Sequence, residues 1–313
     1  MSFETDLLLD RRRLKRRLFF WRGAAVIAAV FAVFAAVQGP GGWTPGGLGM
    51  ETAHVERLTV RGIITENRKL TEAITKLADR DSVKALIVVI DSPGGSVAGG
   101  ESLHEAIAKV AAKKPVVAVM GGLAASAGYM IAVPAKRIFA RDATITGSIG
   151  VILETGEASG LMKTIGVTAE AITSGPLKDQ PNFAHPLSEQ GRVVLKGLVM
   201  DMYEQFVAMV ASGRHMDPVR VRELGDGRAY TGRQALALGL VDEIGGESAA
   251  RIWLGQTKGV SPKLPVTDVS VSGLAERALG GDANGILQGL WKTVFSQGVM
   301  LDGGLALWQP SLQ

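Results

Sequence analysis

The sequence of 313 residues contains no cysteine. Disulfide bonds, catalytic thiolates and cysteine-ligated metal sites are therefore excluded. Aromatic residues are also scarce, at 5% of the chain, whereas glycine is abundant, with 40 residues. Few bulky rings and many small residues favour helices that pack closely on a sheet. The hydrophobic fraction of 47% is sufficient for one large core or for two domains.

The chain has little excess charge, and that excess lies at one end. The formal net charge is +4, and the first 22 residues alone hold seven basic and three acidic groups. The remaining residues balance, with 27 basic and 27 acidic groups. A nucleic-acid-binding protein carries its basic patch on the folded body. The charge pattern therefore argues against a nucleic-acid partner.

An apolar run follows the basic N-terminal segment 1–17. It extends from Leu18 to Val37, a length that spans a bilayer as a helix, and only Arg22 interrupts it. Because basic groups stay cytoplasmic, we predict a single anchor in the inner (plasma) membrane with the body periplasmic or extracellular. A cleaved signal peptide is the alternative, but no Ala-x-Ala site follows the run. The Gly/Pro-rich residues 38–53 predict a linker.

From residue 54 the sequence alternates between strand and helix patterns. Val55–Ile64 alternates as a strand does, and Ala85–Ile90 is a continuous apolar run, which is typical of a strand buried on both faces. A further strand is predicted near Val167–Thr173. This alternation predicts one α/β domain over 54–258, with a parallel sheet and flanking helices. Residues 259–313 are predicted to be a tail of unknown role.

A serine stands where an apolar run gives way to a predicted helix. Residues 115–120 are apolar and predict a buried strand, and the residues after Ser126 predict a buried helix. A serine on such a turn is held rigidly, and unpaired backbone N–H groups point the same way. Ser126 is therefore a candidate nucleophile. The alternative is that the small residues here only allow a helix to pack tightly on the sheet.

The general base for such a serine is less evident. The histidines His54, His104, His185 and His215 have no recognisable carboxylate partner, although His185 lies in a proline-rich loop. A lysine can replace histidine, because burial lowers the pKa of a lysine side chain until it is partly neutral. Lys178 lies in a loop after a predicted strand and is a candidate, although most lysines are solvated surface groups.

Five separated motifs occur between about residues 55 and 246. They are Asp91–Gly95, Ala124–Tyr129, Thr146–Gly150, Ser174–Asp179 and Tyr230–Asp242. Together they resemble the motifs of the signal peptide peptidase A family, and they occur in that family's order. The family comprises membrane-bound serine peptidases (peptidase family S49) related to the Clp protease and crotonase folds. Each motif is weak alone, and the resemblance rests on all five together.

The resemblance implies a role for each matching residue. Ser126 would be the nucleophile, Lys178 the general base, and Ser148 a hydrogen-bond partner of the lysine amine. The oxyanion would be held by the backbone N–H of Ala127 and of a glycine in Gly94–Gly95. Glycine at these positions lets the backbone approach a substrate closely.

One residue departs from the family's pattern. The family usually has glycine after the nucleophile, where this chain has Ala127. The N–H remains, but the methyl would strain the turn if that residue required a positive φ. The chain carries one catalytic domain, as do the family's short members. In those members several protomers assemble, and the serine and lysine come from one chain or from two.

The expected protein is a membrane-anchored serine endopeptidase that degrades remnant signal peptides and similar apolar peptides as a homo-oligomer. No metal or cofactor is implied. One rival is a crotonase-type acyl-CoA enzyme, which also uses paired backbone N–H groups, although an anchored extracytoplasmic body argues against it. The other rival is a catalytically silent membrane scaffold on the same fold.

Overall fold

A sheet of eight strands forms the centre of the domain in the computed structural model, which describes residues 52–270 and Trp21. The strands lie in the order β6-β5-β3-β2-β1-β8, and β4 pairs with both β3 and β7. In chain order they are β1 (His54–Ile64), β2 (Val83–Gly95), β3 (Val116–Ala125), β4 (Arg137–Ala140), β5 (Ile145–Gly147), β6 (Ala229–Thr231), β7 (Glu243–Ile244) and β8 (Val266–Asp268).

All strand pairs are parallel except β5–β6. The long strand β2 lies between β1 and β3, and Val88 is aligned with Leu58 on one side and Ala118 on the other. Residues 85–88 are fully buried, as a continuous apolar run in a central parallel strand should be. The prediction of an α/β domain with a mainly parallel sheet is confirmed.

Helices cover both faces of this sheet. They are α1 (Arg68–Leu77), α2 (Val97–Ala111), α3 (Ala127–Met130), α4 (Ser159–Thr164), α5 (Glu189–Arg214), α6 (Pro218–Leu224), α7 (Gly232–Ala237) and α8 (Glu247–Lys258). The larger core contains side chains from α1, α2, α3 and α5, and on the other face α8 packs Ala250 and Leu254 into a smaller core with Phe139.

Serine caps set the starts of the two longest helices. The Ser96 side chain accepts a hydrogen bond from the Gly99 N–H (3.2 Å) at the start of α2. The Ser188 side chain does the same for the Gly191 N–H (3.0 Å) at the start of α5. Each cap satisfies one N–H that the first helical turn leaves unpaired. As a result α2 begins almost directly after β2, beside the carboxyl end of the sheet.

The segment between β5 and α5 differs from the prediction. Residues 167–173 form no strand, and Ile172 is 98% exposed. An alternating apolar pattern gives a strand only where neighbouring strands pair with it and bury one face. The strand predicted near Val167–Thr173 is therefore wrong.

The sheet includes a strand that follows residue 258, the predicted end of the domain. Helix α8 ends at Lys258, where Gly259 adopts a left-handed conformation. The chain then returns to the sheet, where β8 pairs in parallel with residues 55–57 of β1. The described residues 52–270 lie within one compact unit.

Four predicted segments lie wholly or mostly outside the described residues. They are the basic segment 1–17, the anchor 18–37 apart from Trp21, the linker 38–53 apart from its last two residues, and residues 271–313 of the tail. Within the part of the chain that the structure describes, no helix combines the length and the apolar character needed to cross a membrane.

Candidate active site

Ser126 occupies the turn between β3 and α3, as the sequence predicts. Its φ is 54° and its ψ is −123°, a conformation that non-glycine residues rarely adopt. The turn is held on both sides. The Ser126 N–H donates to the Gly147 carbonyl (2.9 Å), and the Ser126 carbonyl accepts from the N–H groups of Tyr129 (2.8 Å) and Met130 (2.9 Å). Such strain costs about 1–3 kcal/mol and is concentrated at functional sites.

The methyl of Ala127 does not strain this turn. The left-handed residue is Ser126, and Ala127 is the first helical residue of α3. Its side chain is buried against α2 at Gly100, where an added Cβ would lie 2.9 Å from the Ala127 Cβ. Glycine at position 100 therefore makes room for alanine at position 127. The departure from the family's pattern leaves the Ala127 N–H at the start of α3.

The two glycines after Pro93 have backbone N–H groups in different surroundings. The Gly94 N–H donates to the Ser92 hydroxyl (3.1 Å). The Ser96 N–H donates to the Ile64 carbonyl of β1 (2.9 Å). Gly95 lines the same cavity as Ser126, whereas Gly94 does not. Gly95 is therefore the candidate oxyanion donor of the two.

Gly94 lies directly beneath the serine. Its φ is +111°, and a Cβ built on it would lie 2.8 Å from the Ser126 Cβ and 3.1 Å from the Ala127 nitrogen. Only glycine allows the end of β2 to approach the Ser126 turn this closely.

Ser148 lies at the same edge of the sheet, after β5. It also has a positive φ (49°) and follows Gly147, whose φ is 77°. Its N–H donates to the carbonyl of Arg228, the residue before β6 (2.9 Å), and this bond holds the chain after β5 beside the start of β6. Two non-glycine residues with left-handed backbone thus lie on neighbouring strand ends, and both are serines.

Ser126, Ser148 and Gly95 line one cavity of about 710 Å³. Asp226 and Arg222 contribute charged groups to its lining. The apolar part of the lining comes from α2, from the chain after β5 and from α5, through Val97, Val151, Ile152, Val199, Met200 and Tyr203. The cavity therefore joins a serine hydroxyl to an apolar surface.

Lys178 does not lie with these residues within one chain. It is exposed on a turn in which its N–H donates to the Gly175 carbonyl (3.1 Å), and it is absent from the cavity lining. The structure therefore brings together Ser126, Ser148 and Gly94–Gly95 at the end of β2, and it leaves Lys178 apart from them.

The histidines do not supply a base either. His185 is exposed, and no histidine is among the residues that line the cavity. A ring nitrogen of His54 lies 3.4 Å from a carboxylate oxygen of Glu56, and the Nδ1 of His104 lies 2.9 Å from the Met130 carbonyl oxygen. His215 ends α5 with a left-handed backbone. His54 and His104 therefore have structural contacts, and His215 is exposed at the end of its helix.

Sequence reasoning missed a buried polar cluster behind the serine turn. The hydroxyl of Tyr129 is fully buried and donates to the Leu240 carbonyl (2.8 Å), and burial raises the pKa of this phenol. Arg214, the last residue of α5, donates to the Gly239 carbonyl and to the Asp242 carboxylate (2.6 Å). These contacts attach α3 and α5 to the same segment, residues 239–242. Tyr129 and Asp242 both lie in motifs that resemble those of the family, and their presence there could have indicated the cluster.

Sequence comparisons assign the chain to a group of peptidases. The model of peptidase family S49 matches residues 108–261. A Synechocystis protein whose name calls it a protease is 38% identical over 73% of this chain and 84% of its own length. An Enterococcus faecium protein named for signal peptide peptidase SppA is 36% identical over 63% of this chain and 61% of its own. Protease 4 of Salmonella typhi is 37% identical over 52% of this chain but 26% of its own.

Among solved structures the likeness is loose. A mutant of the 1510-N membrane-bound stomatin-specific protease matches 71% of this chain and 99% of that chain, with a TM-score of 0.47 and 15% identity. A mutant of ClpP1 from Listeria monocytogenes matches 61% of this chain with a TM-score of 0.40. The assignment rests on the sequence relatives.

Proposed function

The chain belongs to peptidase family S49, and on that premise we propose that it is a serine endopeptidase whose nucleophile is Ser126. The observation that carries the proposal is the strained Ser126 turn, which lines an apolar cavity beside Gly95 and the first N–H of α3. This is the arrangement that acyl transfer requires: a fixed hydroxyl, converging N–H groups and a surface for the substrate.

In the proposed reaction the Ser126 hydroxyl oxygen attacks the carbonyl carbon of the scissile peptide bond. The negative charge that develops on the carbonyl oxygen is held by the N–H groups of Gly95 and Ala127. Removal of one such donor typically costs about 3–4 kcal/mol of transition-state stabilisation. The hydroxyl proton passes to a base and then to the leaving amine, which leaves an acyl-enzyme for water to hydrolyse.

We assign the base to Lys178, supplied by a second copy of the chain. Within one chain Lys178 is exposed and lies outside the cavity lining. The segment that carries it, and the first half of α5, expose large apolar side chains, as an interface does before assembly. Among them are Ile152, Ile165, Ile172, Phe183, Val193 and Leu198. In the assembled site Ser148 would hold the incoming lysine amine beside Ser126.

Apolar peptides fit this cavity best. The lining residues of α5 and of the chain after β5 offer aliphatic and aromatic contacts to an extended segment. With the predicted anchor at 18–37, the enzyme would act beside the membrane, on remnant signal peptides and similar segments. Its catalytic domain would then face the periplasm or the cell exterior.

Subunit mixing tests this proposal. Full-length Ser126→Ala and Lys178→Ala proteins are each expected to be inactive on a fluorogenic apolar peptide. Co-expressed, they should form mixed assemblies in which about a quarter of the sites pair an intact serine with an intact lysine, if each site spans two chains. Recovery of activity in that range supports the two-chain site.

The outcomes separate the parts of the proposal. A folded Ser126→Ala protein with wild-type turnover would show that Ser126 is not the nucleophile. Activity of the wild type, with none recovered in verified mixed assemblies, would place both groups in one chain. Wild-type activity in Lys178→Ala would remove lysine from the reaction altogether.

A further inference from the structure

Ser92 is a fully buried hydroxyl that the reaction described above does not use. It donates a hydrogen bond to the Gly62 carbonyl of β1 (2.6 Å) and accepts one from the Gly94 N–H (3.1 Å). Its side chain therefore connects β1 to the end of β2, where the candidate oxyanion donor Gly95 lies. A buried polar group with both partners satisfied fixes the groups that it bonds.

These bonds repair a break in the sheet. The pairing of β1 with β2 aligns Arg61 with Asp91 but Ile63 with Gly94, so β2 has one extra residue at this point. Such a bulge disrupts the ladder of backbone hydrogen bonds and re-aims the strand. At this point the Ser92 hydroxyl lies between the Gly62 carbonyl and the Gly94 N–H, and it forms a hydrogen bond with each of them.

The main chain of Ser92 also contacts the helix that carries the other donor. A Cβ built on Gly128 would lie 2.9 Å from the Ser92 carbonyl oxygen, so α3 packs directly on this residue. Gly95 lies three residues after Ser92 at the end of β2, and Ala127 begins α3. Ser92 thus contacts both the strand end that carries Gly95 and the helix that begins with Ala127.

We propose that Ser92 is a positioning residue for the oxyanion hole. It does not touch the substrate; its hydroxyl holds the Gly94 peptide so that the next N–H, from Gly95, faces the oxygen of the carbonyl group whose carbon Ser126 attacks. This inference rests on the proposed function. Loss of the hydroxyl leaves the bulge free to shift, and the transition state loses more than the ground state does, because the charge on oxygen develops only there.

The test compares Ser92→Ala with Thr144→Ala in the full-length enzyme. Thr144 is a matched control because its buried hydroxyl also donates to one backbone carbonyl, of Gly121 (2.6 Å), and accepts one N–H, from Arg141 (2.9 Å). Both variants should lose thermal stability, and Thr144→Ala should lose the more because it also removes a buried methyl group. Ser92→Ala is expected to lower kcat by roughly 10- to 100-fold with KM within about threefold of the wild type. Thr144→Ala should retain wild-type kcat.

A peptide aldehyde gives a second readout that a loss of stability alone would not move. The Ser126 oxygen adds to the aldehyde carbon, the carbonyl electrons move to the aldehyde oxygen, and the hydroxyl proton goes to the base. The resulting hemiacetal oxyanion occupies the hole. In Ser92→Ala the inhibition constant of the aldehyde should rise by the same factor by which kcat/KM falls. In Thr144→Ala it should stay unchanged.

The inference fails if Ser92→Ala retains wild-type kcat and aldehyde affinity, or if both variants lose activity equally. If Ser92→Ala does not fold, Ser92→Cys keeps a donor at this position, although a larger and weaker one, and an unchanged kcat in that variant would also refute the role. A wild-type enzyme that neither cuts peptides nor binds the aldehyde would instead overturn the proposed function.

Discussion

Replacement of Gly94 by alanine tests how tightly the end of β2 is built against the nucleophile. At φ +111° an alanine is strained by about 1–3 kcal/mol. Its Cβ would lie 2.8 Å from the Ser126 Cβ and 3.0 Å from the Ala125 carbonyl oxygen, and overpacking of this kind costs a further ~1–3 kcal/mol. The free energy of unfolding should therefore fall by about 2–6 kcal/mol, unless the Ser126 turn moves.

Movement of that turn has a catalytic signature. A displacement of about 1 Å in a reacting group costs roughly 100-fold in rate. Gly94→Ala is therefore expected to fold, with a lowered Tm, and to lose at least that factor in kcat/KM on an apolar fluorogenic peptide. Gly259→Ala is the control, because Gly259 also has a positive φ (+68°) but has no neighbouring atom within 4 Å of a built Cβ.

The control should lose only about 1–2 kcal/mol of stability from backbone strain and keep its activity. Thermal unfolding and peptide hydrolysis measured side by side separate the two effects. Wild-type kcat/KM in a folded Gly94→Ala protein would refute the close approach of β2 to Ser126. Equal loss of activity in Gly259→Ala would show that strain alone, and not this contact, governs the result.

Three further predictions concern single side chains. Lys178→Arg should be nearly as inactive as Ser126→Ala while still assembling, because arginine stays charged and cannot accept the serine proton; near wild-type peptide hydrolysis would exclude the lysine base. Tyr129→Phe should lower Tm by about 2–4 °C, since the buried Leu240 carbonyl loses its partner, and an unchanged Tm would argue against that bond. The hydrogen bond from Arg57 lowers the pKa of the Asp268 carboxyl. The ion pair therefore stabilises the fold above the ordinary Asp pKa of about 3.9, and this stabilisation is lost as pH falls through the lowered pKa of the folded state. By thermal unfolding, Asp268→Asn should lower the free energy of unfolding by less than about 1 kcal/mol at pH 7 and leave it unchanged near pH 2. A loss that does not depend on pH would rule out the ion pair.

The strands around the site could be predicted because burial on both faces leaves a visible pattern in the sequence. Central parallel strands are buried on both faces, so β2 and the first part of β3 appear as continuous apolar runs. The predicted strand at Val167–Thr173 has a similar local pattern but no pairing strand, and a pattern alone cannot supply one. The three-residue strand β8 is too short for any periodicity to show.

The candidate site divides in the same way. Glycine in Gly94–Gly95 signals a close backbone approach, and Ser126 follows a clear strand pattern. The positive φ of Ser126 and Ser148 could not be predicted, because a non-glycine residue gives no sign of left-handed backbone. Lys178 lies outside the cavity lining within one chain, which no local pattern in the sequence could have indicated. A sequence motif identifies a candidate residue but does not give its distance from the candidate serine.

The identity of the nucleophile is the claim on which the rest depends. A fluorophosphonate probe phosphonylates an activated serine oxygen with loss of fluoride, and peptide mapping by mass spectrometry locates the adduct. We expect the full-length wild type to carry one adduct, on Ser126, and the Ser126→Ala protein to carry none and to hydrolyse no peptide. An adduct on Ser148 in the wild type, or continued hydrolysis by a folded Ser126→Ala protein, would contradict the account.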